Sequence, residues 1–196
     1  MDKNSPNRLL EAAIENTGDR TIVLVGLMGA GKTSIGRRLA DKMDWPFVDA
    51  DIEIEKAAGK SIPDIFAEHG ETHFRDGERR VIARLLENGK QVLATGGGAF
   101  MNPETRQAIK DHALSIWLRA DLDVLLKRVA KRGGRPLLES RDPAEVLQNL
   151  INLRYPVYAE ADLTVESLDV QHAQMVHEVL KALADYRPQK VETPHD

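Results

Sequence analysis

The sequence predicts an α/β fold, in which a parallel β-sheet carries helices on both faces. Apolar segments typical of buried strands alternate along the chain with segments whose apolar residues recur at helical spacing. The first strand, residues 21–25, leads directly into a glycine-rich segment and then into a helix from residue 34 to residue 43. The 196 residues, of which 42 % are hydrophobic, are enough for one domain with a substantial core.

The glycine-rich segment, Gly-Leu-Met-Gly-Ala-Gly-Lys-Thr at residues 26–33, has the spacing of a phosphate-binding P-loop. Its glycines let the backbone wrap around phosphate oxygens with N–H groups pointing inward, and the helix N-terminus adds partial positive charge. Lys32 offers an ammonium group to the β- and γ-phosphates, which makes it a predicted catalytic residue, and Thr33 offers an oxygen to Mg²⁺. The predicted ATP-binding residues here are Gly29, Ala30, Gly31, Lys32, Thr33 and Ser34.

Further strands and helices follow in alternation, as a parallel sheet with crossover helices requires. The predicted strands are residues 47–49, 91–94, 114–118 and 163–165. The predicted helices are residues 61–70, 73–88, a helix that starts at residues 102–103, and residues 121–131, 142–160 and 169–186. Ligands of such sheets bind beyond the carboxyl ends of the strands. Asp49 and Asp51 follow the second strand and Gly96-Gly97-Gly98 follows the third, so we expect them to meet the P-loop in one cleft.

The remaining parts of the chain are less regular. Residues 1–19 are predicted to be an N-terminal extension on the surface, in which Leu9, Leu10, Ala13 and Ile14 allow a short amphipathic helix. The domain is predicted to span residues 20–186, with a polar tail at residues 187–196. Residues 132–142 are polar, basic and interrupted by glycine and proline, which suits an ordinary solvated loop and a mobile lid about equally.

Composition excludes several classes of protein. The net charge of −4 and the absence of a basic stripe argue against nucleic-acid and anionic-membrane binding. The count of 0 cysteines excludes disulfides and thiolate metal sites. No apolar run approaches the roughly 20 residues of a membrane span, and the first residues lack the apolar core of a signal peptide. We therefore expect a cytoplasmic protein.

Several motifs in a fixed order make the chain resemble the shikimate kinase family from about residue 22 to residue 179. These motifs are the P-loop, Asp49-Ala50-Asp51, residues 61–66, residues 74–78, Gly96-Gly97-Gly98-Ala99, residues 135–138, and the stretch from Arg154 to Asp162. The resemblance implies a three-layer P-loop fold with five parallel strands in the order 2-3-1-4-5 and a mobile lid. It also implies transfer of the γ-phosphate of ATP to the 3-hydroxyl of shikimate, in aromatic amino-acid biosynthesis.

The resemblance further implies how the acceptor is bound. Arg75 and Arg154 would bind the carboxylate of shikimate, and Glu78 would hold Arg75 in place. On spacing alone, an ordinary surface ion pair between Arg75 and Glu78 is the simpler interpretation. Asp51 resembles the carboxylate that binds the substrate hydroxyls and orients, or deprotonates, the attacking 3-hydroxyl.

The same resemblance implies contacts to the transferred phosphate. Gly97 and Gly98 would bring backbone amides to the substrate and to the γ-phosphate. Thr33 would bind Mg²⁺ directly and Asp49 through water. Arg135 would be a catalytic and ATP-binding residue, which the lid brings to the phosphoryl group while it excludes water.

The adenine contact is the least determined part of the site. In families of this kind the base lies between an arginine at the foot of the lid and a late loop. Arg128 or Arg132 is the candidate arginine, and residues 166–169 form the candidate loop, which lacks the Arg and Pro of some relatives.

Three other interpretations remain at this stage. A related small-molecule kinase, such as one for gluconate, would keep the P-loop but would not need two arginines beside a triple-glycine loop. A catalytically silent nucleotide-binding relative should have lost Lys32, Asp51 or Arg135, and all three are present. A nucleic-acid-binding ATPase conflicts with the acidic balance of charge. We expect a monomer with ATP and shikimate as its small-molecule partners.

Overall fold

A computed structural model of the chain describes residues 6–131 and 142–187. A five-stranded parallel sheet lies at its centre, with the strand order β2-β3-β1-β4-β5. The strands are β1 (Thr21–Val25), β2 (Phe47–Asp49), β3 (Val92–Ala94), β4 (Ala113–Arg119) and β5 (Leu163–Glu166). The predicted parallel sheet and the order 2-3-1-4-5 are both confirmed.

Eight helices cover the two faces of the sheet within the described residues. They are α1 (Pro6–Thr17), α2 (Lys32–Met43), α3 (Ala50–Ala58), α4 (Ile62–Leu86), α5 (Pro103–His112), α6 (Leu122–Ala130), α7 (Pro143–Tyr158) and α8 (His172–Asp185), with a short 3₁₀ turn at Ala99–Met101. Among these residues, no helix is both long and apolar enough to cross a membrane.

The strands are apolar because both faces of a parallel sheet are covered by helices. All five residues of β1 and all three of β3 are buried, and β4 is exposed only at Arg119. Helix starts follow from capping side chains: Ser61, Asn102 and Asp142 each accept a hydrogen bond from a backbone N–H of the first turn, as their sequence context predicts.

The two helices predicted at residues 61–70 and 73–88 form one element with a break between them. Gly70 has φ 79° and ψ 175° within α4, a conformation that glycine adopts without the steric cost other residues incur. The break changes the direction of the chain just before Phe74 and Arg75. Helix α4 packs on α3 and α5, and Arg75 and Glu78 in its second half lie beside the glycines that follow β3.

The interpretation of the N-terminal residues as a surface extension is wrong for residues 6–17. Helix α1 packs along α8, where Leu9 and Ala13 are buried in the main core. The Asn16 side-chain amide donates hydrogen bonds to the carbonyl oxygens of Leu183 (3.2 Å) and Ala184 (2.7 Å). The division of the chain at residue 20 stays a prediction, and residues 1–5 and 188–196 lie outside the described part of the chain.

Candidate active site

The P-loop joins the end of β1 to the first turn of α2. Gly26 has φ 141°, and a Cβ there would lie 2.7 Å from the carbonyl oxygen of Leu118, so only glycine fits. Gly29, Ala30 and Gly31 form the turn, and Thr33 and Ser34 lie at the helix N-terminus. The ammonium group of Lys32 donates hydrogen bonds to the carbonyl oxygens of Gly26 (2.7 Å) and Leu27 (3.0 Å), so the side chain folds back along the loop.

Asp49 connects the P-loop helix to the start of α3. One of its carboxylate oxygens accepts a hydrogen bond from the Thr33 hydroxyl (2.9 Å), and the other accepts one from the backbone N–H of Asp51 (3.1 Å), which caps α3. Asp51 is therefore held in the first turn of α3. Burial raises the pKa of the Asp51 carboxyl, the Asp49 carboxylate adds to the rise, and Lys32 opposes it.

The triple-glycine loop, residues 96–98, lies between the charged side chains of the cleft. A Cβ at Gly96 would lie 2.9 Å from a carboxylate oxygen of Asp51 and 3.0 Å from one of Glu78. A Cβ at Gly98 would lie 2.6 Å from the guanidinium carbon of Arg75. No side chain larger than hydrogen fits at these two positions without displacing Arg75 or a carboxylate. The glycines therefore allow the backbone itself to form part of the site.

Gly97 connects this loop to the P-loop. The α-carbon of Gly97 lies between Arg154 and the P-loop. A Cβ there would lie 3.3 Å from the Arg154 guanidinium and 3.5 Å from the carbonyl oxygen of Gly26. The backbone N–H groups of Gly97 and Gly98 have no hydrogen-bond acceptor within residues 6–131 and 142–187. Two donors are thus available beside the P-loop for an anionic group.

The Arg75–Glu78 pair is not a surface ion pair. Glu78 is only 3 % exposed, and its carboxylate accepts a hydrogen bond of 2.7 Å from Arg75. Burial raises the pKa of Glu78, and the charge of Arg75 opposes the rise. The other edge of the guanidinium contacts the exposed Glu71 at 3.3 Å, and the group lies 5.1 Å from the centre of the Phe74 ring. Arg75 is therefore fixed by charge and by packing.

Arg154 projects from α7 toward the triple-glycine loop. Its Nε atom is buried and has no hydrogen-bond partner among the described residues. A buried donor without an acceptor is costly, so this atom indicates a ligand with an acceptor group. Tyr158, one turn later on α7, donates a hydrogen bond from its hydroxyl to the carbonyl oxygen of Gly97. Sequence patterns predict no role for Tyr158 in the site, although its i+4 spacing from Arg154 puts both side chains on one helix face.

Arg128 connects the P-loop to the loop after β5. Its guanidinium donates to the carbonyl oxygen of Gly29 (3.2 Å) and to the Ser167 hydroxyl (2.9 Å), and Ser167 donates to the carbonyl oxygen of Ala30 (2.8 Å). Of the two arginines suggested for the adenine contact, Arg128 is thus beside the predicted late loop. Arg132 lies outside the described residues.

Comparison with known proteins decides the family. The sequence profile described as "Shikimate kinase" matches residues 28–184. The chain belongs to the shikimate kinase family. It is 58 % identical over 169 residues to the shikimate kinase of Rhodopseudomonas palustris. The matched region covers 86 % of this chain and 83 % of that one. The resemblance inferred from the motifs is confirmed, and with it the prediction of an enzyme, a P-loop kinase that uses ATP.

Solved structures agree with this assignment. The shikimate kinase from Acinetobacter baumannii, determined in complex with shikimate, superposes with a TM-score of 0.80 at 35 % identity over 86 % of this chain and 95 % of that one. A gluconokinase from Sinorhizobium meliloti, at 20 % identity and a TM-score of 0.56 over 85 % of this chain and 92 % of that one, shares the fold alone.

Two parts of the predicted shikimate kinase site need separate mention. Arg135 and almost all of the predicted lid at residues 132–142 lie outside the described residues, so their roles stay predictions.

No group of three or more His, Cys, Asp or Glu side chains suited to a metal occurs within the described residues. The Thr33 hydroxyl and the Asp49 carboxylate are, however, the oxygen donors that Mg²⁺ accepts when phosphates and water supply its other ligands. This donor set fits a magnesium ion bound together with a nucleotide.

Proposed function

We propose that this chain transfers the γ-phosphate of ATP to the 3-hydroxyl of shikimate, giving ADP and shikimate 3-phosphate. One observation carries the proposal: Arg75, Asp51 and Arg154 all adjoin the triple-glycine loop, and that loop adjoins the P-loop. One cleft therefore contains two cations that can bind a carboxylate, an acceptor for hydroxyl groups and a loop that can bind phosphates.

ATP binds with its phosphates in the P-loop. The backbone N–H groups of residues 29–34 and the positive end of α2 surround the phosphate oxygens, and Lys32 leaves the carbonyl oxygens of the loop to contact the β- and γ-phosphates. Thr33 and, through water, Asp49 would hold a Mg²⁺ ion. The ion, when bound, neutralises phosphate charge.

Shikimate binds on the other side of the triple-glycine loop. Arg75 and Arg154 contact its carboxylate, and a guanidinium suits this group because its planar fork matches two carboxylate oxygens. The Nε of Arg154 and the N–H groups of Gly97 and Gly98, which find no acceptor in the part of the chain that the structure describes, support this arrangement. Analogues without a carboxylate would leave these donors unpaired, which disfavours their binding.

Asp51 acts on the attacking hydroxyl. It accepts a hydrogen bond from the 3-hydroxyl and takes its proton as the O3–P bond forms and the bond from the γ-phosphorus to the bridging oxygen of ADP breaks. The raised pKa of Asp51 makes its carboxylate a better proton acceptor than an ordinary aspartate. Positioning contributes more than basicity, because phosphoryl transfer has a loose transition state. Arg135, brought in by the lid, would stabilise the transferring group.

A coupled assay of ADP release tests the proposed function. With Mg-ATP, shikimate should stimulate ADP release strongly, whereas gluconate and quinate should not. Lys32→Met should lower the stimulated rate by about 100-fold or more, because it removes the cation that contacts the phosphates. Such a loss would show that the activity belongs to this P-loop. ATP binding without stimulation by shikimate would contradict the proposal and favour another acceptor or a silent relative.

Three further expectations accompany the proposal. A cytoplasmic location and a monomeric state were inferred from the sequence alone, and both stay predictions. Binding of Mg²⁺ is likewise part of the proposal, supported by the Thr33–Asp49 pair. Chelation of divalent ions should therefore abolish the shikimate-dependent release of ADP in the same assay.

A further inference from the structure

Tyr158 is a fully buried side chain whose polar end reaches the active site. Its ring packs among Phe100, Trp117 and Tyr155, with centroid distances of 6.4, 6.0 and 6.2 Å. Its hydroxyl donates a hydrogen bond to the carbonyl oxygen of Gly97, in the middle of the triple-glycine loop. An aromatic residue of the core thus anchors the loop that borders both halves of the cleft.

This hydrogen bond also determines the direction of a neighbouring donor. The carbonyl of Gly97 and the N–H of Gly98 belong to one planar trans peptide, in which the two groups point in opposite directions. Holding the carbonyl on Tyr158 therefore turns the Gly98 N–H away from Tyr158 and out of the core. That N–H has no acceptor within the described residues.

Arg154 lies four residues earlier on the same face of α7. Burial raises the pKa of Tyr158 to about 12, and the charge of Arg154 opposes the rise. The phenol therefore keeps its proton near neutral pH and donates it to Gly97.

We propose that Tyr158 is a positioning residue for the acceptor half of the reaction. Its hydroxyl holds the Gly97 carbonyl and thereby sets the direction of the Gly98 N–H, one of the donors proposed to face the substrate carboxylate. The inference rests on the proposed function, since it concerns the same acceptor site.

Tyr155 provides a matched control on the same helix. Its hydroxyl also donates to a backbone carbonyl, that of Ala120, and its ring packs edge-on against Trp117 at 4.8 Å. Within the described residues, its hydroxyl and its ring make no hydrogen bond or ring contact with the triple-glycine loop or with Arg154. A tyrosine that only stabilises the core should behave like Tyr155, whereas a positioning tyrosine should not.

The test compares Tyr158→Phe with Tyr155→Phe. Phenylalanine keeps the ring, so both variants should remain folded in a thermal unfolding measurement. Tyr158→Phe should raise the KM for shikimate about tenfold, because the Gly97 carbonyl loses its buried donor and the Gly98 N–H loses its fixed direction. Its KM for ATP should stay within about twofold of the wild type, as should both KM values of Tyr155→Phe.

Each outcome decides the matter. Equal effects of the two variants, or a rise in the two KM values of Tyr158→Phe by the same factor, would overturn the inference while the proposed function stands. A wild type without shikimate-dependent turnover would overturn both. A measurement on the wild type gives an independent check: shikimate should shift the amide resonance of Gly98 more than that of Gly96. The opposite order would overturn the inference even if Tyr158→Phe does not fold.

Discussion

Arg75 and Arg79 lie one turn apart on α4, and each has a carboxylate partner on the same helix. Each pairs with a carboxylate three residues away: Arg75 with Glu78 at 2.7 Å, and Arg79 with Asp76 at 2.9 Å. The difference between the pairs is burial, because the Glu78 side chain is 4 % exposed and that of Asp76 is 56 % exposed. Arg79 has the environment of an ordinary surface ion pair, which contributes little to stability, whereas Arg75 lies against the triple-glycine loop.

We predict that Arg75→Lys raises the KM for shikimate about 10- to 100-fold and leaves the KM for ATP within about twofold. Lysine keeps a positive charge for the buried Glu78, so the protein should fold, but it loses the planar fork that matches a carboxylate. Steady-state kinetics with each substrate varied in turn measure both values. Arg79→Lys is the control and should change neither. An equal rise for both arginine variants would show that Arg75 has no special relation to the acceptor.

The sequence alone does not distinguish these two arginines. Their i,i+3 spacing is the same, and burial of Glu78 depends on the position of Gly96 and Asp51, which belong to other elements. Only the family motif singled out Arg75. The role of Tyr158 could not be predicted from the sequence either. An aromatic residue on an apolar helix face predicts core packing, whereas its hydrogen bond to Gly97 depends on the tertiary arrangement.

Helix α1 is an element whose formation, but not its partner, could be predicted. The apolar positions Leu9 and Ala13 indicate an amphipathic helix, and both are buried against the core. The apolar pattern does not show which element this helix packs on. That element is α8, which begins more than 150 residues later in the chain. The Asn16 side chain then donates to two carbonyl oxygens in the last turn of α8, those of Leu183 and Ala184.

We predict that Asn16→Ala lowers the free energy of unfolding by about 1 kcal/mol, because the two hydrogen bonds that join α1 to the last turn of α8 are lost. Denaturant unfolding at equilibrium measures the change. The exposed neighbour Glu15 provides the control, and Glu15→Ala should cost less than about 0.5 kcal/mol. Both variants should keep the wild-type KM for shikimate. If Asn16→Ala is as stable as Glu15→Ala, the contact between the two helices does not contribute as described.

At the scale of the whole molecule, the strand order assembles the cleft. The strands β2, β3 and β1 are consecutive neighbours, so their carboxyl ends present the Asp49–Asp51 turn, the triple-glycine loop and the P-loop side by side. The triple-glycine loop is central because β3 lies between the other two strands. Alternating strands and helices predicted that these segments share one edge, but their order came from the family resemblance, since periodicity contains no information on which strands are neighbours.

The central claim is that this cleft phosphorylates the 3-hydroxyl of shikimate, and phosphorus NMR of the reaction mixture tests it most directly. With the chain, Mg-ATP and shikimate, we predict a new phosphate monoester signal that is coupled to the proton on carbon 3 and grows at the same rate as ADP. Without shikimate, the signals of ATP should persist. A mixture in which ATP gives only ADP and inorganic phosphate, or a monoester coupled to a different ring proton, would contradict the account.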